Sequence, residues 1–348
     1  MKKGSSAVLY RAYRPQSFKE VRGQPQVTDV LEKAIHNKKI AHAYLFSGSR
    51  GTGKTSVARI LAKELGVSDK DLYEIDAASN RGIDDIRLLR EGVYAMPFES
   101  PYKFYIIDEA HMLTKDAWNA FLKTLEEPPP HALFVLATTE RDKVPETIQS
   151  RCEIYSFKQP TREMLVGVVS DVAKKEGFTL ERSAAELVAL LAEGSFRDAL
   201  GILQKVLSVS DNKKVEVSEV EAVAGAPRGE HVRSLLSSIV KKDANGALKA
   251  VRAALSENID ARVLAKLLIH RMRVVLLMRY APDIAESVSK ELSEDDMALA
   301  KSLVKERGAN SDSLKQLLEA YGTMTYASLP HLPLELAIID ICGSAETA

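Results

Sequence analysis

The chain has 348 residues, 45% of them hydrophobic, which is material for two or three domain cores rather than one. Lysine plus arginine and aspartate plus glutamate number 48 each, so bulk charge argues for neither a nucleic-acid nor a membrane binder, and any DNA contact must come from local placement. The opening MKKGSSAVLYRAYRP has no apolar run behind its lysines, no later stretch approaches about 18 uninterrupted apolar residues, and only Cys152 and Cys342 occur; this predicts a cytoplasmic chain with no membrane contact, no disulfide framework and no four-cysteine zinc site of its own.

Through residue 159, short apolar runs alternate with helical patterns, which predicts a parallel α/β sheet. Strands are expected at Ala43–Ser47, Leu72–Asp76, Lys103–Asp108, Leu133–Thr138 and Ile154–Phe157. Helices are expected at Lys54–Leu65, Ile83–Ala95 and Lys115–Glu126, the last stopped by Pro128, Pro129 and Pro130. Beyond Pro160 the strand signal disappears. TREMLVGVVSDVAKKEG, SAAELVALLAEG and RDALGILQKVL each carry apolar residues at i, i+3 and i+4, predicting a small helical domain that runs to about Ala226. From Arg228 onward the pattern stays helical, as in DARVLAKLLIHRMRVVLLMRYA. Boundaries at the Lys158–Thr161 link and the Gly225–Gly229 turn divide the chain into 1–159, 160–226 and 227–348.

Gly48-Ser49-Arg50-Gly51-Thr52-Gly53-Lys54-Thr55 fits G-x-x-x-x-G-K-[ST], follows the apolar run AYLFS and opens the helical pattern KTSVARILAKEL, with Ser56 in its first turn. That context separates a phosphate-binding loop from a glycine-rich turn with a chance lysine. The glycines let backbone N–H groups curl around phosphates, Lys54 adds positive charge, and the Thr55 hydroxyl can ligate Mg²⁺. A second apolar strand, KFYIIDEAH, ends in Asp108 and Glu109 at the carboxyl edge of the sheet. Paired acids at a strand end are by themselves a solvated cap. With the phosphate loop upstream, Asp108 becomes a magnesium ligand and Glu109 the carboxylate that polarises an attacking water. Thr138 and Thr139 close LFVLATTE, where hydroxyls can orient a water or phosphate, although threonine at a strand end is more often structural. Arg151 in SRC and Arg197 in GSFRDAL, each taken alone, read as surface ion-pair residues.

Taken together, YRAYRPQSFKEVRGQ, HAYLFSGSRGTGKTSVARILAKEL, YEIDAASNRGIDDIR, YIIDEAHMLTKDAWNAFLKTLEEPP, LATTERDKVPETIQSRC and EGSFRDAL closely resemble the gamma/tau family of bacterial DNA polymerase III clamp-loader subunits. The match is dense from residue 8 to about 205 and is only a helical pattern after 227. The resemblance implies a RecA-like AAA+ parallel-sheet module, a helical lid and an all-α collar through which subunits form an open pentameric ring. It implies an ATPase, using ATP and Mg²⁺, that helps open a sliding clamp and place it on primer-template DNA beside delta- and delta-prime-type subunits, hydrolysis triggering release. Residue by residue, it makes Gly48–Thr55 the Walker A loop, Asp108 and Glu109 the Walker B pair, and Thr139 the sensor 1 residue. It makes Arg151 an arginine finger supplied to the neighbouring subunit's ATP and Arg197 the sensor 2 arginine, with Tyr13–Gln24 closing over the adenine end. Basic residues of the family that face duplex DNA correspond to Arg87 and Lys143; two others fall at Asn80 and Gly82, with Arg81 between them.

Zinc is where the sequence departs from the family. Family members usually carry a four-cysteine module between the phosphate-loop helix and the second strand, whereas this link is only GVSDKD, Gly66–Asp71. No zinc is therefore expected. Either a branch lacking the module or a small subunit of the replication factor C type has this feature, and the additional tau domains are not expected within these residues. Two further readings are a nucleotide-binding scaffold without turnover, against which Lys54 and Glu109 are intact, and a hexameric DNA-remodelling translocase, against which the SRC motif and the helical collar stand.

Overall fold

Three of the five expected strands are buried along nearly their whole length: β1 (Ala43–Ser47), β3 (Lys103–Asp108) and β4 (Ala132–Thr138). Continuous apolar runs are what a strand covered on both faces requires. β2 (Leu72–Asp76) and β5 (Glu153–Ser156) alternate with exposed positions because they form the two edges of the sheet. All five pair in parallel in the order β2-β3-β4-β1-β5. The structure is a computed structural model that describes residues 8–210, 212–257, 259–289, 292 and 294–343.

Strand residues alternate between two cores, as a period of two demands. Leu45, Tyr105, Ile107, Phe134 and Leu136 face the helices Ile83–Tyr94 and Lys115–Glu126, meeting Ile86, Leu89, Trp118, Phe121 and Leu125. Tyr44, Phe46, Phe104, Ile106 and Val135 face the other way, toward Val27 and Leu31 of the helix Pro25–His36 and Val57, Ile60 and Leu61 of the helix Lys54–Glu64. Thr114 caps Lys115–Glu126 by accepting the Ala117 N–H, and the proline triplet follows its end. With Ser47 opposite Thr138 and Ile107 opposite Leu136, the loop after β1, the acids ending β3 and the threonines ending β4 share the carboxyl edge.

The chain packs as two units: one takes the residues through Val169 together with Ala192–Gly201, the other Ser170–Leu191 and Ile202 onward. The second unit is helical, with helices including Arg182–Leu191, Gly229–Val240, Ala244–Ser256, Ala261–Tyr280, Ser311–Thr323 and Leu332–Gly343. Leu235, Ile239, Val251, Leu264, Leu268, Met272, Leu317 and Ile338 are buried in it. One expectation is corrected there. Past Pro160 a two-stranded parallel pair, β6 (Thr179–Leu180) and β7 (Lys214–Val215), joins segments read as wholly helical. Two residues per strand are too few to display a period of two, so the pairing has no sequence signal. Among the described residues no helix is long and apolar enough to cross a membrane.

Candidate functional site

The loop between β1 and Lys54–Glu64 is shaped by glycines with positive φ. Gly51, at φ +72°, sits so close to Ser195 that a Cβ would collide with its hydroxyl, and its carbonyl accepts the Phe196 N–H at 3.0 Å. Gly53, at φ +103°, turns the chain into the helix from a left-handed conformation costly to any residue with a side chain. Lys54 is buried, and its ammonium donates to the carbonyls of Gly48 at 2.7 Å and Ser49 at 2.9 Å. Burial lowers the Lys54 pKa; Glu109 and Asp108 oppose that shift and Arg197 adds to it. Thr52 closes the loop by donating to the Ser49 carbonyl at 2.8 Å. The loop is anchored from outside by Gln24, which is fully buried, donates to the carbonyls of Lys158 at 2.7 Å and Thr52 at 3.5 Å, and accepts the Lys158 N–H at 3.0 Å.

The acids meet this loop directly. Thr55 donates its hydroxyl to Asp108 Oδ2 at 2.9 Å, and Asp108 Oδ1 accepts the Glu109 N–H at 3.0 Å. Glu109 itself takes a left-handed conformation, φ +48° and ψ +42°, which swings it off the line of β3. Its Oε2 accepts the Thr139 hydroxyl at 3.3 Å. Thr55, the pair Asp108 and Glu109, and Thr139, singled out in three separate stretches of the sequence, thus form one connected group.

Arg197 is the arginine that bears on Lys54, and further arginines gather beside it. Arg197 lies over the Tyr10 ring, 5.8 Å from its centroid, and Arg11 approaches the same ring at the same distance. Burial lowers the Arg14 pKa, and the neighbouring Arg59, Arg197 and Arg11 lower it further against the pull of Glu74. Arg14 thus sits partly buried among like charges, with Arg59 itself paired to Glu74, and such a cation is suited to take an anion. Arg59 escaped the sequence reading because an arginine on a helix face carries no local mark of an anion site, and Arg14 was included only as part of the segment Tyr13–Gln24. Gln24 was included only as the end of a segment, and its buried bridging role had no signal either.

Arg151, Arg81, Arg87 and Lys143 have other partners. Arg151 follows the helical turn Glu146–Gln149, is a third exposed, and donates to Glu126 Oε1 at 2.6 Å and the Thr147 carbonyl at 2.7 Å. Arg87 pairs with Asp84 at 3.2 Å and Lys143 with Glu140 at 2.8 Å, while the Arg81 carbonyl accepts the Thr114 N–H at 3.2 Å. Arg50 is exposed on the loop, and Ser49 and Ser56 are partly exposed. For magnesium, the chain offers the hydroxyl of Thr55 and the carboxylate of Asp108, already in contact, a small oxygen set of the kind that ion accepts alongside phosphate and water. Cys152 and Cys342 are free thiols, and burial pushes that of Cys152 up to about 12.

A family model described as "DNA polymerase III, delta subunit" matches residues 23–74 and 66–161. DNA polymerase III subunit tau of Bacillus subtilis is 37% identical over 98% of this chain, and subunit tau of Escherichia coli is 37% identical over 78% of it. These alignments span 64% and 46% of the two relatives, so the chain matches only part of their length. Subunit gamma of Buchnera aphidicola is 35% identical over 68% of this chain and 70% of its own length. Among solved structures, the RuvB Holliday junction branch migration motor of Thermotoga maritima superposes with a TM-score of 0.53 at 23% identity, over 66% of this chain and 80% of that one. A likeness at that identity speaks for the fold alone, a parallel α/β module followed by helices. By its sequence over nearly all of its length, the chain belongs to the DNA polymerase III gamma/tau family.

Proposed function

We propose that the chain is an ATP-hydrolysing motor subunit of a clamp loader, which with delta- and delta-prime-type subunits opens a sliding clamp and places it on primer-template DNA. The observation that carries this reading is the continuous link from Thr55 through Asp108 to Glu109 and Thr139, beside the buried Lys54. In it the phosphates lie on the loop Gly48–Thr55 with Ser56 at the helix start, and Lys54, Arg197 and Arg14 supply positive charge to them. Thr55 and Asp108 hold Mg²⁺, which when bound neutralises charge on the phosphate oxygens. Glu109 takes the proton of the attacking water, and Thr139 orients that carboxylate. Arg151 serves the ATP of an adjacent subunit, and Arg81, Arg87 and Lys143 meet DNA phosphates without reading bases.

The lid is assigned to 160–226 and the collar to 227–348, the collar joining subunits into a pentamer, and the setting is cytoplasmic. The test is ATP turnover by the assembled complex with and without primed DNA and clamp. Turnover that rises on their addition is expected. A chain that binds ATP and never hydrolyses it would instead be a nucleotide-holding scaffold.

A further inference from the structure

Gln24 does more than brace the phosphate loop, because its amide settles which way a loop peptide faces. Its own backbone is fixed on both sides. Gly23 before it has φ +76°, Pro25 after it is the first residue of the helix Pro25–His36, and its carbonyl accepts the Val27 and Thr28 N–H groups at 3.0 Å. The side-chain amide is equally constrained. Oε1 accepts the Lys158 N–H while Nε2 donates to the Lys158 carbonyl, so a flipped amide would set donor against donor and acceptor against acceptor. Oε1 also accepts from Gln26 Nε2 at 3.0 Å, and the second hydrogen of Nε2 is left for the Thr52 carbonyl at 3.5 Å. Every donor and acceptor of the buried amide is thus used.

In a trans peptide the carbonyl and the N–H of the next residue point in opposite directions. The Thr52 carbonyl faces Gln24, so the Gly53 N–H is turned away from it. One peptide earlier the Gly51 carbonyl faces the Phe196 N–H, where the helix Phe196–Val209 begins, so the Thr52 N–H is turned away from that helix. Ser195 keeps this second contact close: its hydroxyl accepts the Asp198 N–H at 3.1 Å, and its side chain fills the space where a Gly51 Cβ would stand. Two consecutive N–H groups ahead of Lys54 are therefore oriented by carbonyls anchored outside the loop. We propose that Gln24 is a positioning residue for the nucleotide phosphates, holding the Thr52–Gly53 peptide with its N–H turned inward before they bind. The role rests on the reading of the chain as an ATP-binding subunit and adds a residue to that site.

The test is displacement of a fluorescent ATP analogue from the assembled complex by ATP and by inorganic tripolyphosphate, at a temperature well below the melting point of each variant. Gln24→Met keeps the length of the side chain and removes the amide. It should weaken ATP and tripolyphosphate by the same factor, about fivefold, the scale of one hydrogen bond, and raise KM for ATP by more than it lowers kcat. Gln24→Glu keeps the acceptor for the Lys158 N–H and loses the donor, so the same paired loss in Q24E decides the matter if Q24M does not fold. Unchanged affinity for both ligands in a folded variant, with only the melting temperature reduced, would make Gln24 a structural brace. Weakened ATP with unchanged tripolyphosphate would assign the effect to the adenine end of the site. Either result overturns the role and leaves the functional reading intact. A wild-type complex that binds neither ligand would overturn the functional reading and the role with it.

Discussion

Lys54 is held by two loop carbonyls at 2.7 and 2.9 Å, so its ammonium is aimed into the cradle before any phosphate is present. Lys54→Ala should weaken ATP binding by about tenfold or more, the scale of one hydrogen bond from a charged group, as read by displacement of a fluorescent nucleotide. Glu109→Gln keeps the shape of the side chain and its contact with Thr139 but removes the carboxylate. It should bind ATP normally and lose turnover by about a hundredfold or more in a steady-state phosphate-release assay. Loss of binding in this variant would make Glu109 a structural residue. The positions of both residues, at a helix start and a strand end, were legible in the sequence because motif and neighbouring pattern agree. Arg14, Arg59 and Gln24 were not, since their roles come from neighbours distant along the chain: Gln24 spans 134 residues to reach Lys158.

At the scale of elements, the edge strand β2 is tied down by Asp71, the residue preceding it. Its fully buried carboxylate accepts backbone N–H groups from Phe98 at 2.6 Å and from Glu99 and Ser100 at 2.9 Å. Burial by itself would raise its pKa, but these donors outweigh burial and hold it at about 2, below the ordinary 3.8. A carboxyl with a depressed folded-state pKa contributes stability that is complete above about pH 4 and is lost as pH falls toward 2. Denaturant unfolding between pH 5 and 2, as rough bounds, should show stability declining in the wild type through that window. Asp71→Asn should be less stable at neutral pH and flatter through the window; an identical slope would assign the acid sensitivity to other groups. The sequence places β2 and its residues correctly but gives no sign of this brace, because three backbone donors have no side-chain pattern.

For the whole molecule, the proposal that hydrolysis requires assembly rests on Arg151. Its guanidinium is bound to Glu126 and the Thr147 carbonyl, outside the cluster around Lys54, and it belongs to no contact with that subunit's own Thr55, Asp108 or Glu109. Arg151→Ala should leave ATP affinity near normal and remove most of the turnover stimulated by DNA and clamp, on the order of 10³-fold for an arginine finger. Joint loss of thermal stability and nucleotide binding would reduce Arg151 to a brace for Glu126. Full stimulated turnover by the variant in a verified assembly would exclude a role in trans.

The sequence by itself determined the five strands to within a residue at each end, the place of the glycine loop between β1 and its helix, the acids ending β3 and the family. It could do so because each is written locally: continuous apolar runs for strands covered on both faces, fixed glycine spacing for the loop, and acids at the end of a buried strand. Tertiary structure alone decided the strand order, which brings Gly48, Asp108 and Thr138 to one edge although 90 residues of chain separate the first from the last. It also decided the two-residue pair β6-β7, the arginines around Arg14, and the link from Thr55 to Asp108. These depend on which side chains meet across the fold, and a meeting between residues far apart in the chain leaves no period or spacing along it.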